Sequence, residues 1–130
     1  MYKLIPPCSY QGGKQKIASQ IVDYISNNFL IGNKTKFFDL CCGSGAISLE
    51  LISRGVAPSN IYMVDASPWG WFYNTVGNGV FDINEFAKRI KAIPADTKQI
   101  KPYVQSLISS PPNPYDFLIL QASAHGSTAT

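Results

Sequence analysis

The sequence predicts an α/β domain with a helix-rich C-terminal half, and two observations carry that prediction. Two short apolar runs, "KFFDLCC" and "NIYMVD", have the composition of buried strands. Between them stands a Gly-Ser-Gly turn followed by a helical pattern. Strand, turn, helix and strand in this order form a βαβ unit, whose parallel strands are joined by a right-handed crossover. Because two strands are few for an α/β sheet, we expect the sheet to be incomplete.

Length and composition set the outer limits of this prediction. A chain of 130 residues with 45% apolar content is enough for one core, so we predict a single domain over residues 1–130. The net charge of +3 permits contact with a polyanion but falls short of a dedicated nucleic-acid-binding composition. Three cysteines form an odd count without zinc-ligand spacing, which favours a reduced, cytoplasmic chain without a metal site. With no secretion signal and no apolar run of membrane-spanning length, we expect no membrane association.

Apolar residues at helical spacing flank the first strand. A first helix is predicted from apolar residues at intervals of four, with two more beside them: Ile17, Ile21, Ile25 and Phe29, with Ala18 and Val22. A second helix is predicted from Ser44 or Gly45 to a C-terminal cap at Gly55. Its apolar side consists of Ile47, Leu51 and Ile52.

Capping signals predict more helices after the second strand. Ser67 and Pro68 suit the start of one helix, and Asp82 with Glu85 suits the start of the next. "DTKQIKPYVQSLISS" is compatible with a further helix that begins near Lys98. "PPNP" then breaks the pattern, and the apolar run "YDFLILQASAHGSTAT" can be assigned neither to helix nor to strand.

The turn "CGSG" is the first candidate for chemistry. Glycines at Gly43 and Gly45 let a backbone bend sharply and approach a ligand, while the following helix presents unpaired N–H groups. The dinucleotide fingerprint G-x-G-x-x-G is absent because position 48 is a serine. Taken alone, the turn is equally compatible with a purely structural bend.

Asp65 shifts the balance towards a ligand site. It follows the second strand, 22 residues after Gly43, where a βαβ nucleotide site places an acid that accepts hydrogen bonds from ribose hydroxyls. The alternative is that Asp65 only caps the helix near Pro68, a role that Ser67 fills equally well.

The segment "SYQGGK" is the third element. Two glycines followed by Lys14 can wrap a carboxylate or phosphate, although the spacing is not that of a P-loop. The alternative is a flexible loop with a solvated lysine.

Together, "PPCSYQGGKQKI", "FFDLCCGSGAISLEL" and "IYMVDASPWGWFYNTV" resemble the first three motifs of Dam-type, D12-class S-adenosylmethionine-dependent adenine-N6 DNA methyltransferases, in the same order. The resemblance covers roughly residues 4–94. It implies a Rossmann-like class I methyltransferase fold, S-adenosylmethionine as cofactor and DNA as partner. The residues that it implies in cofactor binding are Tyr10, Gly12, Gly13, Lys14, Asp39, Cys41, Gly43, Ser44, Gly45, Asp65 and Ala66.

One part of the family pattern is not matched. The family's chemistry needs an (Asp/Asn/Ser)-Pro-Pro-aromatic loop that holds the flipped base. The nearest tetrapeptide, Ser110 to Asn113, has asparagine in place of the aromatic residue. It is either a degenerate catalytic loop or a helix stop and turn. We therefore expect no catalytic residue in this chain, and Thr130 would stand before both the recognition region and catalysis.

Three functions of different classes follow. The first is the donor-binding part of an adenine methyltransferase, completed by another chain, by self-association or by a longer product. The second is a non-catalytic, methyltransferase-derived protein, for example from a phage, that acts through a protein or nucleic-acid partner. The third is another nucleotide-dependent enzyme on the same βαβ unit, for which no catalytic group is visible.

The aromatic cluster Trp69, Trp71, Phe72 and Tyr73 is interpreted as core rather than as an adenine-stacking face.

Overall fold

The computed structural model describes residues 3–8 and 13–124. The elements run α1 (Ala18–Asn28), β1 (Phe37–Asp39), α2 (Ala46–Ser53), a short 3-10 turn (Pro58–Asn60), β2 (Ile61–Met63), α3 (Pro68–Gly77), α4 (Ile83–Lys91), α5 (Thr97–Ile108) and α6 (Pro114–Ala124). Among the described residues, four helices follow the second strand, in agreement with the predicted helix-rich C-terminal half.

The predicted βαβ unit is present. The two strands pair in parallel, with Phe37 opposite Ile61, Phe38 opposite Tyr62 and Asp39 opposite Met63. Within the described part of the chain the sheet has only these two strands. The fold is thus a helix-rich α/β arrangement around a two-stranded parallel sheet.

The two faces of this sheet differ. One face meets α2, where the hydroxyl of Ser48 donates a 2.7 Å hydrogen bond to Asp39. The other face carries an aromatic pair, Phe38 and Tyr62, stacked with ring centroids 4.8 Å apart. Four apolar side chains of this face are 41 to 66% exposed, and we call them the open sheet face: Phe38, Leu40, Tyr62 and Val64. Parallel sheets are ordinarily covered on both faces. In the described part of this chain, one face of the sheet is covered by α2 and the other is largely exposed.

Helix α1 packs on α2 through the middle of its predicted apolar face. Ala18 and Val22 are buried, and Ile21 and Ile25 are half-buried. The prediction is wrong only at its two ends, where Ile17 and Phe29 are largely exposed because they are the caps of this helix and the chain leaves helical geometry there. Arg54, just after α2, joins the two helices through a 2.6 Å ion pair with Asp23.

Helix α2 ends as predicted, with Gly55 in the left-handed conformation at φ 101°. The Gly55 N–H donates a hydrogen bond to the Ile52 carbonyl, and the Val56 N–H donates one to the Leu51 carbonyl. This is the hydrogen-bond pattern of a Schellman motif.

The unassigned apolar run forms α6, which packs against α3, α4 and α5. A hydrophobic core lies here, formed by the buried residues Trp69, Phe72, Phe117 and Leu118 and flanked by Cys8, Tyr73, Phe81 and Phe86. The prediction that this aromatic cluster is core is confirmed for Trp69 and Phe72, while Trp71 stays 41% exposed.

Candidate functional site

The turn after β1 adopts a conformation that only glycine takes readily. Gly43 has φ 50° and Gly45 has φ 83°, both in the left-handed region. The turn is tied to the second strand because the Cys42 N–H donates a 3.0 Å hydrogen bond to the carbonyl of Val64. Helix α2 begins directly after Gly45 without a side-chain cap. Its first backbone N–H groups therefore lack the usual side-chain acceptor.

Asp65 contacts this turn directly. Its Oδ2 accepts a 2.7 Å hydrogen bond from the Gly43 N–H, and its Oδ1 accepts a 2.8 Å bond from the Ser67 N–H. Hydrogen bonding from Ser67, reinforced by the Gly43 N–H, lowers the pKa of Asp65 despite partial desolvation. The structure therefore brings together two of the predicted site residues, 22 positions apart, through a charged carboxylate. The capping role at α3 belongs to Ser67, whose hydroxyl accepts from the Trp69 N–H at 3.2 Å.

Tyr73 holds the other side of the turn, and the sequence did not identify it as a site residue. From α3 its hydroxyl donates a 2.5 Å hydrogen bond to the carbonyl of Ser44. Burial, with smaller effects of Cys42, Cys8 and Asp39, raises the pKa of Tyr73, so its hydroxyl remains a donor at neutral pH. The only signal in the sequence was an aromatic residue eight positions after Asp65, and core packing explained that residue equally well.

Asp39, the other acidic residue predicted for the site, also has a partner in the chain. The Ser48 hydroxyl that bonds to it belongs to a fully buried residue. Ser48 stands where the dinucleotide fingerprint would have its third glycine, which serves close packing of helix on strand. In this chain a serine fills that place and adds a hydrogen bond between α2 and β1.

The other residues predicted to bind the cofactor are either outside the described residues or exposed near the site. Tyr10 and Gly12 lie outside the described residues, and Gly13 and Lys14 are exposed just before α1. Cys41 and Ala66 are exposed neighbours of the turn and of Asp65.

A cavity connects the N-terminal segment with the start of α2. It has a volume of about 370 Å³, and Asp65 is not among its lining residues, which are Lys3, Leu4, Ile5, Pro6, Gln15, Lys16, Ala18, Ala46 and Glu50. The segment is fixed there by a 2.7 Å hydrogen bond from the Leu4 N–H to the Ser53 hydroxyl. The chain on either side of the predicted Gly-Gly-Lys loop thus lies beside the helix that begins at the Gly-rich turn.

The tetrapeptide Ser110 to Asn113 serves as a helix stop and a cap. Asn113 Oδ1 accepts a 2.8 Å hydrogen bond from the Asp116 N–H, and Asn113 Nδ2 donates to Asp116 Oδ2 at 2.7 Å. Pro114 follows as the first residue of α6, where a missing N–H costs nothing. Asn113 is therefore committed to helix capping. The loop also lines an apolar cavity of about 510 Å³, together with Trp71 and Phe117.

Cys42 is a packing residue of the turn rather than a reactive thiol. It is buried, and burial, followed by the nearby charges of Asp39 and Asp65, raises its pKa to about 11. A higher thiol pKa leaves less thiolate at neutral pH. We expect iodoacetamide near neutral pH to modify exposed Cys41 and to spare Cys42 until the pH approaches 11, as measured by peptide mass spectrometry. Equal rates at the two cysteines near neutral pH would contradict this assignment.

Within residues 3–8 and 13–124, no group of three or more His, Cys, Asp or Glu side chains is arranged to hold a metal ion. The helices of the same residues are all too short or too polar to cross a membrane.

Residues 10–106 match the family described as D12 class N6 adenine-specific DNA methyltransferase. No curated protein and no solved structure matches the chain. The matched range contains β1, the Gly-rich turn, β2, Asp65 and Tyr73.

Proposed function

The chain belongs to the D12 class N6 adenine-specific DNA methyltransferase family, and from that membership we propose that it binds S-adenosylmethionine at the Gly-rich turn, in a Rossmann-like fold. The observation that carries the proposal is the 2.7 Å hydrogen bond between Asp65 and the Gly43 N–H. This bond connects the segments that follow the carboxyl ends of the two parallel strands. α/β proteins bind nucleosides beside the carboxyl ends of their strands.

The residues of the turn fit such a ligand. Gly43 leaves the backbone without a side chain just after β1, Gly45 makes room for the Tyr73 hydroxyl, and the uncapped start of α2 offers N–H donors. Asp65 accepts two backbone N–H groups, and the Ser67 side chain also bonds to it. Of the roughly four lone-pair sites of a carboxylate, the remaining one is suited to a ribose hydroxyl. S-adenosylmethionine, when bound, supplies a methyl group on a positively charged sulfur.

The N-terminal segment would bind the other end of the same ligand. Tyr10, Gly12, Gly13 and Lys14 are proposed to surround the methionine part, with Lys14 as a cation near its carboxylate. The cavity between residues 3–6 and Ala46 supports this arrangement, because it lies between that segment and the start of α2.

The methyl acceptor is proposed to be adenine in DNA, as the family implies. Asn113 is engaged in capping α6, so we propose that this chain provides the donor-binding part and that catalysis depends on residues outside those described. The sheet has only two strands in the described residues, and its open sheet face is exposed. Both features support the companion proposal that another chain or a second copy adds strands to the sheet and covers this face.

Replacing Asp65 tests the donor site. Asp65→Ala should weaken S-adenosylmethionine binding by about 10- to 100-fold, because a charged acceptor of hydrogen bonds contributes roughly 1.5 to 3 kcal/mol. Asp65→Asn should retain part of the affinity, since its one remaining oxygen still accepts. Isothermal titration calorimetry on the full chain measures both.

Asp82→Ala is the matched control. Asp82 accepts a 2.9 Å hydrogen bond from the N–H two residues later, as Asp65 does, but at the start of α4. This variant should lose about 1 kcal/mol of stability and bind S-adenosylmethionine normally. Absence of binding by the unaltered chain at millimolar ligand would refute the proposed function.

A transfer assay separates donor binding from complete catalysis. With labelled S-adenosylmethionine and unmethylated DNA, the chain alone should bind the donor and leave the DNA unmethylated. Methyl transfer by the chain alone would show that it carries its own acceptor site.

A further inference from the structure

Two backbone groups of the Gly-rich turn are held by side chains from two different elements. The Gly43 N–H donates to Asp65, at the end of the second strand. The Ser44 carbonyl accepts from Tyr73, on the second turn of α3. The two contacts act on neighbouring residues and in opposite senses, one on a donor and one on an acceptor.

The contact at Ser44 controls more than one carbonyl. Because the peptide unit is planar, fixing the Ser44 carbonyl also fixes the direction of the Gly45 N–H. That N–H donates a 2.8 Å hydrogen bond to the Cys42 carbonyl, which closes the turn. Gly45 is the residue from which α2 begins, so the same contact fixes the peptide unit that leads into the helix.

Tyr73 is itself held firmly. Its ring packs against Trp69 and Phe72, with centroids 6.1 and 5.3 Å away. Both of these residues are buried and contact Phe117 of α6. The position of the hydroxyl is thus determined by the core of the helical half.

We propose that Tyr73 is a positioning residue, whose hydroxyl holds the Gly-rich turn in its ligand-binding shape before S-adenosylmethionine arrives. The inference rests on the proposed function for the identity of the ligand. A turn that is already in the bound shape loses less conformational freedom on binding, so the hydroxyl contributes to affinity without touching the ligand. Through this contact the helical half of the chain influences the donor site.

Tyr73→Phe tests the inference, because it removes only the hydroxyl. Tyr115→Phe is the matched control: its hydroxyl also bonds to backbone, accepting from the Asp82 N–H at 3.0 Å, but far along the chain from the turn. Two measurements are made on the whole 130-residue chain. Hydrogen exchange by NMR reports the protection of the Gly43 and Gly45 N–H groups without ligand, and calorimetry reports the dissociation constant for S-adenosylmethionine.

Tyr73→Phe should accelerate exchange at Gly45 and raise the dissociation constant, each by about five- to tenfold, while Tyr115→Phe changes neither by more than about twofold. Unchanged exchange at the turn, or faster exchange with unchanged affinity, would overturn the inference. If both variants weaken binding equally, Tyr73 acts only through general stability and the inference is again wrong. If the unaltered chain binds no S-adenosylmethionine, the proposed function fails, and the exchange data alone decide whether Tyr73 holds the turn.

Discussion

Gly45→Ala is expected to lower the free energy of unfolding by about 2 to 4 kcal/mol and to remove measurable S-adenosylmethionine binding. Two costs combine at this position. Gly45 has φ 83°, which a residue with a side chain adopts only under strain. In addition, a methyl group at Gly45 would lie 2.6 Å from the Tyr73 hydroxyl and 2.8 Å from the Met63 Cε, so Tyr73 would have to release the Ser44 carbonyl. Urea unfolding and calorimetry measure the two effects.

Gly55→Ala separates these costs. Gly55 also has a positive φ, but nothing lies within 4 Å of the position that a methyl group would occupy. This variant should lose only about 1 to 2 kcal/mol, through backbone strain, and should bind S-adenosylmethionine with unchanged affinity. If Gly45→Ala were no more damaging than Gly55→Ala, the contact between Tyr73 and the turn would be unimportant.

Gly70→Ala is expected to destabilise the chain by about 3 kcal/mol or more. Alanine usually stabilises a helix relative to glycine by roughly 0.5 to 1 kcal/mol, so the expected sign is the reverse of the ordinary one. The reason is that a methyl group at Gly70 would lie 2.1 Å from the backbone carbonyl oxygen of Asp65. Backbone atoms cannot rotate away, so α3 would have to move off the end of the second strand. Thermal and urea unfolding test this expectation.

Gly77→Ala provides the control within the same helix. Gly77 is the last residue of α3, and nothing lies within 4 Å of its would-be methyl group. The variant should be neutral or slightly stabilising. A Gly70→Ala variant that is also neutral would show that α3 does not rest on Asp65 as closely as described.

The part of the site that sequence alone predicted follows from the geometry of parallel strands. Two strands joined by a crossover end at the same edge, so residues that follow each strand come together whatever the rest of the chain does. The contact between Gly43 and Asp65 is of this kind. The cap at Ser67 and the termination at Gly55 were also predictable, because capping depends on a few neighbouring residues.

The part that the sequence did not predict depends on contacts between distant segments. Tyr73 stands among aromatic residues at helical spacing, and no local pattern distinguishes the one that faces the turn from those that fill the core. Gly70 gave a weak signal, since a glycine inside a helix calls for an explanation by close packing. Helix α6 was ambiguous because Phe117, Leu118 and Ile119 are all buried, which leaves no apolar period to read.

The open sheet face has a consequence for the life of the chain in a cell. The open sheet face keeps four apolar side chains, two of them aromatic, exposed to water after folding. Exposed apolar surface is the feature by which chaperones and proteases recognise incompletely folded proteins. Two copies of this chain whose open sheet faces meet are expected to associate, because the contact removes apolar surface from water. The concentration of the chain therefore affects how much of it stays unaggregated, alongside its intrinsic stability.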